Sequence, residues 1–243
     1  MLKRFYRKHK EWFTLFSSAF VGTLLGIGLT FGISGLLAQK EEEDVANKFL
    51  HMSLDHVDKT IGLSEEMLSL LQHTDSILGS TLEYYPYRAA EFPDTLAGQL
   101  GAAINHLYFQ LEDNMTEQIF FNNIKTIEVF DDLSIVTDMR NLYVITHGIE
   151  QCKKALDQII AELSEELYKK QNPVMYTNQE AIQVLFDYPK YEKCVTLYHV
   201  YTEVTRQLIE KLKKENRTVM KNLGIDDSEV KHVKKFSGVE YEF

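Results

Sequence analysis

Residues 142–163 read LYVITHGIEQCKKALDQIIAEL, and their apolar members Leu142, Ile145, Ile149, Cys152, Leu156, Ile159 and Leu163 alternate spacings of three and four without a miss. Such a stripe lies along one face of an α-helix and cannot follow the period of two that a strand demands. It predicts a helix over about Ser134–Lys170, ended by Pro173, with a seam of the heptad, coiled-coil kind. After a shorter helical piece broken at Pro189, a second stripe follows: Tyr191, Cys194, Tyr198, Tyr201, Leu208 and Leu212, with Thr205 in the gap. Two long helices with narrow apolar seams bury them best against each other, running antiparallel as in a bundle. The predicted fold class is all-α.

Toward the C-terminus, Gly224 predicts the stop of the last helix, which leaves residues 224–243 as a tail. The alternation Val239, Tyr241, Phe243 could add a strand to another protein's sheet edge, but a frayed terminus is the simpler expectation. Toward the N-terminus, Leu50, Leu54, Val57, Ile61, Leu68 and Leu71 share one face of a predicted helix from Glu41 to about Leu78, with a kink or break expected at Gly62 before Ser64-Glu65-Glu66. Helices are also expected over Thr95–Leu111 and Met115–Phe130. Between Gly79 and Asp94, Pro86 and Pro93 enforce a loop that holds Tyr84, Tyr85, Tyr87 and Phe92. Rings in a loop either cap the core or offer a contact surface to a partner. Capping is the commoner use, and these four are the candidate partner-contact residues.

Phe13–Gln39 contains no charged residue, and about 20 apolar residues suffice to cross a bilayer core as a helix. The expectation is one transmembrane helix over 13–39, after a basic tail of residues 1–12 and before a helical-bundle domain of residues 40–223. Lys3, Arg4, Arg7, Lys8 and Lys10 precede the span, and Glu41, Glu42, Glu43 and Asp44 follow it. The positive-inside bias therefore puts the N-terminus in the cytoplasm and the main domain outside it. A cleaved signal peptide would have a shorter apolar core. Ser18, Gly22 and Gly26, and likewise Gly28 and Gly32, recur every fourth residue, a flat stripe where a second membrane helix can approach; a homodimer is one outcome.

The chain carries a net charge of −10, and since residues 1–40 hold +5, the remainder carries −15. So acidic a body argues against a nucleic-acid partner, whose phosphates require clustered Lys and Arg. No glycine-rich phosphate loop, HExxH, GxSxG or paired CxxC occurs. His51 and His56 are five apart, the wrong spacing for a metal pair on a helix, so with Asp55 they are expected on a solvated face. Of the Glu/His pairs three apart, His147 and Glu150 run in the reverse order for a carboxylate-bridged centre, and Glu229 with His232 stands alone in the tail. A non-enzyme without metal or cofactor is expected. The sequons at Asn114 and Asn216 carry no function, being short enough to arise by chance. Cys152 and Cys194 both sit on predicted apolar stripes, so a disulfide is a candidate if the helices bring them to one height; buried free thiols are the alternative.

The segment Thr126–Tyr143, TIEVFDDLSIVTDMRNLY, preceded by a short basic tail and one glycine-rich span, resembles a group of uncharacterised single-pass bacterial inner-membrane proteins. Leu133, Ile135 and Val136 occupy the step into the long helix, while Asp131 and Asp132 stand where a turn glycine is usual. The resemblance implies an envelope protein of a bacterial inner membrane, its main domain therefore periplasmic, and no activity. The expected role is binding of other envelope proteins by a domain anchored in membrane lipid. The alternative is a sensor of a small ligand held between the helices, which would need a membrane partner for output.

Overall fold

A computed structural model describes residues 10–105, 115–122, 134–169 and 177–225, with the side chains of residues 10–39 and 41–43 and a few at helix ends left out. Every regular element among the described residues is helical: α1 (Lys10–Thr81), α2 (Asp94–Asn105), α3 (Met115–Asn122), α4 (Ser134–Lys169), α5 (Asn178–Phe186) and α6 (Tyr191–Asn222), with a 3-10 turn at Ala89–Glu91. The chain divides into two units. One comprises residues 1–50 with 123–131, described only as the helical backbone of α1 up to Leu50 and a few side chains near its end; the other comprises residues 51–122 with 132–243.

Among the described residues no helix is long and apolar enough to cross a membrane. The stretch Phe13–Gln39 belongs to the backbone of α1, but its side chains, including Ser18, Gly22, Gly26, Gly28 and Gly32, lie outside the described residues. So do the basic tail over residues 1–9, residues 126–133 of the Thr126–Tyr143 resemblance, Pro173, and the tail from 226 onward.

The second unit is built on a core of three long helices. All seven predicted stripe residues of α4 are buried, and α6 buries Tyr191, Cys194, Tyr198, Thr205 and Leu212 of its stripe, while Tyr201 and Leu208 are only half-buried at its edge. It also buries Val195, Thr202, Ile209, Asn216, Val219 and Met220. The wider buried face has a plain cause: α6 packs against α4 and against the 51–81 part of α1 at once. Pairings fix the directions. Cys152 of α4 meets Thr205 of α6, and Glu162 meets Tyr188 and Lys190, so the two helices run antiparallel. Thr81 meets Tyr191, Asp75 meets His199 and Glu65 meets Lys213, so α1 and α6 also run antiparallel.

Two expectations are corrected here, and the disulfide candidate gives way to its alternative. His56 is buried rather than on a solvated face, because the side of α1 that carries it turns into the unit's interior. Gly62 does not break the helix: α1 runs on through it to Thr81, and a Cβ at Gly62 would meet nothing within 4 Å. Cys152 and Cys194 are both buried free thiols. The thiol of Cys152 lies in hydrogen-bonding reach of Thr205, eleven residues past Cys194 and therefore about 16 Å further along the α6 axis. A bridge needs α-carbons within about 7 Å.

α6 ends as predicted at Gly224, whose positive φ of 67° closes a Schellman motif: its N–H donates to the Lys221 carbonyl and that of Ile225 to Met220. At its other end, α5 begins in a capping box in which Thr177 Oγ1 accepts from the Glu180 N–H and Glu180 accepts from the Thr177 N–H.

The interior is graded along its length. Toward the Thr81 end of α1, a continuous apolar cluster joins Leu78, Phe92, Leu100, Ile104, Leu156, Leu163, Leu185, Phe186, Tyr191 and Tyr198. Toward the His51 end the interior gains polar members: Ser53, His56, Thr60 and Ser64 from α1, Thr146 from α4, and Thr202, Thr205 and Asn216 from α6. Thr60, Thr146 and Thr205 donate to carbonyls four residues back in their own helices, which satisfies the hydroxyls without specifying a neighbour. The buried Asn216, inside a helix, is no glycan acceptor; Asn114 lies outside the described residues.

Candidate interaction site

The loop from Leu82 to Pro93 is held to the apolar end of the unit by aromatic contacts. The ring of Tyr85 meets Phe186 edge-on at 5.5 Å and lies 5.6 Å from Tyr191, while Tyr84 meets Phe92 edge-on at 5.3 Å. Phe92 is buried, and Tyr84 and Tyr85 pack partly buried against the core. Beneath them Tyr191, fully buried, shares a 2.7 Å hydrogen bond with the Thr81 hydroxyl. Because Thr81 donates its own proton to the Leu78 carbonyl, the Tyr191 hydroxyl is the donor. Burial pushes the Tyr191 phenol well above its ordinary pKa, with the Thr81 contact opposing.

Tyr87 differs from its neighbours. It is 94% exposed, one residue past the cis Tyr85–Pro86 peptide. The adjacent Arg88 is spent inside the loop: its guanidinium lies 5.4 Å from the centre of the Tyr84 ring, pairs with Glu91 at 3.4 Å and donates to the Glu83 carbonyl. Of the four predicted contact residues, then, Phe92 is withdrawn into the core, Tyr84 and Tyr85 are turned largely inward, and Tyr87 is presented to solvent. Leu82, at the start of the loop, is exposed as well.

A second polar constellation lies where α3 meets α4. His147 is flanked at both ring nitrogens: Nε2 lies 2.9 Å from Glu117 of α3, and Nδ1 lies 3.3 Å from Glu150 of its own helix. Only the doubly protonated ring can donate to both. Partial burial works against the charge, but the hydrogen bonds and charges of Glu117 and Glu150 outweigh it and hold the His147 pKa above its usual value. One turn away, burial lifts the Tyr143 phenol to about 12, helped by the Glu117 charge and opposed by Ser53. Sequence alone showed the His147/Glu150 pair and not Glu117, which is 30 residues away in the chain. His199 makes a similar link, with Nδ1 2.9 Å from Asp75 of α1, and its pKa is raised chiefly by that bond. Among the described residues no group of three or more His, Cys, Asp or Glu is arranged to hold a metal ion.

The sign of the resulting pH dependence follows directly. A histidine whose folded pKa is raised contributes stability in full below its unfolded value of about 6.5, and that contribution is lost as pH rises through the folded value. The protein is therefore expected to melt at a higher temperature near pH 6 than near pH 8, and His147→Gln should flatten part of that slope. With His147 40% exposed, screening holds the effect to about 1 kcal/mol or less. Thermal unfolding of both proteins across pH 5.5–8.5 checks it; a parallel slope in the variant would remove His147 from the account.

Comparison with known proteins adds no further assignment. No family model, curated protein or solved structure matches this chain.

Proposed function

We propose that this is a single-pass membrane protein whose helical domain, held outside the cytoplasm, binds other envelope proteins through the Tyr87 tip and performs no catalysis. The observation that carries the reading is the contrast within one loop, where Tyr84, Tyr85 and Phe92 are pinned to the core and Tyr87 stands 94% exposed. An aromatic ring offered on a pre-ordered loop loses little conformational entropy on docking, which is how tyrosine comes to dominate many interfaces. Anchoring rests on the uncharged stretch Phe13–Gln39, and orientation on the five cations before it and the acids after it. Self-association through the Ser18, Gly22, Gly26 stripe belongs to the same reading.

Two experiments test it. A photoreactive residue at Glu91, beside the tip, should capture a discrete partner in intact cells, and Tyr87→Ala should cut the yield about tenfold, the size of one interface anchor. The same probe at the exposed Glu165 on the shaft of α4 should capture little. Equal yields with and without the Tyr87 ring would sink the tip as a contact. Separately, a reporter enzyme active only in the cytoplasm, fused after Phe243, should be silent, and a strong signal would reverse the orientation.

A further inference from the structure

The last three turns of α6 break the charge pattern of the rest of the unit. In a body carrying −15, the stretch 211–221 holds Lys211, Lys213, Lys214, Arg217 and Lys221 against Glu215 alone. Preceding cations on this helix face are neutralised: Arg206 is clamped by Glu203 and Glu210, and Lys213 reaches across to Glu65 of α1. Lys214, Arg217 and Lys221 make no ion pair among the described residues, are exposed, and follow one another at spacings of three and four, so they share one face. With Glu210, Lys213 and Thr218, all on α6 itself, they border a shallow recess between side chains on the face of this one helix, nearly flat and open to solvent. Lys221 at the helix C-terminus complements the dipole there; Lys214 lies two turns back, beyond the last-turn range of that effect.

We infer that this recess is a binding site for a phosphate dianion or a diphosphate. Three positive charges spread over eight residues, about 10.5 Å of helix, match a multiply charged anion better than a single carboxylate. Arg217, in the middle, supplies the planar fork that takes two phosphate oxygens at once, with a lysine on either side as a point charge. Thr218 gives its proton to the Lys214 carbonyl and so contributes no donor to the ligand. Glu210, at the edge of the recess, is turned to Arg206, which tempers its repulsion of an anion. The phosphate could come from a soluble diphosphate or from a lipid headgroup.

The test uses the full chain in phosphatidylcholine nanodiscs at about 0.15 M salt, titrated calorimetrically with pyrophosphate. Saturable binding is expected, weakened at least tenfold by the triple change Lys214→Gln, Arg217→Gln, Lys221→Gln. The control Lys154→Gln, Lys193→Gln, which removes exposed cations elsewhere, should stay within twofold of wild type. Circular dichroism checks the fold, and Arg217→Gln alone carries the same comparison if the triple variant unfolds. Discs containing phosphatidic acid, whose monoester headgroup can carry the two charges, separate the two sources: an unchanged titration assigns a soluble phosphate, whereas competition that disappears when phosphatidylcholine is restored assigns the headgroup. Absence of saturable binding in both kinds of disc, or equal weakening in the recess and control variants, overturns the site.

Discussion

Tyr191→Ala is expected to destabilise the second unit by about 4 kcal/mol, as large aromatic truncations in a closed core do. For a unit of this size that corresponds to a fall in melting temperature of roughly 8–16 °C. Tyr191 is fully buried and touches three parts of the chain at once: Thr81 at the end of α1, Tyr85 in the loop, and Phe186 at the end of α5. Removing the ring opens a cavity that none of the three can fill without leaving its own contacts. The hydroxyl matters less. Tyr191→Phe keeps the packing and loses one hydrogen bond, a cost of about 1 kcal/mol. Chemical denaturation of the two variants separates packing from hydrogen bonding, and a loss below about 1 kcal/mol for the alanine variant would show that the ring is not the keystone of that end. Tyr191→Ala should also reduce partner capture at the loop, because Tyr85 loses its seat, whereas Tyr87→Ala should reduce capture and leave stability unchanged.

The second large effect exploits the register of α4 against α6. Cys152 faces Thr205, so Thr205→Cys should form a disulfide with Cys152 on mild oxidation, and Cys194 should remain a free thiol. The bridge would close a loop of roughly 53 residues, worth about 4 kcal/mol in the chain-entropy model. Mass analysis after thiol blocking reads the connectivity, and denaturation with and without reductant reads the stability. A Cys194 bridge in that variant would overturn the register. Burial raises the pKa of both native thiols, so oxidation should be slow at neutral pH and faster as the pH is raised.

How far a stretch could be read from sequence depended on whether its environment repeats. The Leu142–Leu163 stripe repeats with the helix, and all its members are buried, because a residue's direction on a helix is set by its position in the turn. The end of α6 was equally legible, since a residue with positive φ after a helix is most often glycine, and Gly224 has that φ. Tyr198 and Val195 show the limit: the seam predicted Tyr198 to be buried but gave no sign of Val195, which is buried in the same apolar cluster off the line of the stripe.

The sequence by itself determined that the described chain is helical, which residues α4 buries along its seam and most of those α6 buries, and where α6 stops. Each of these depends on local geometry and on the period of a single helix. Tertiary structure decided everything that depends on the height of one helix against another. It separated Cys152 from Cys194 and joined Glu117 to His147 across 30 residues. It also turned Tyr84 and Tyr85 inward while leaving Tyr87 in solvent. The reason is physical: a side chain's direction follows from its own helix or loop, but its neighbours follow from how far each helix slides before its apolar surface is covered, and no single stripe records that distance.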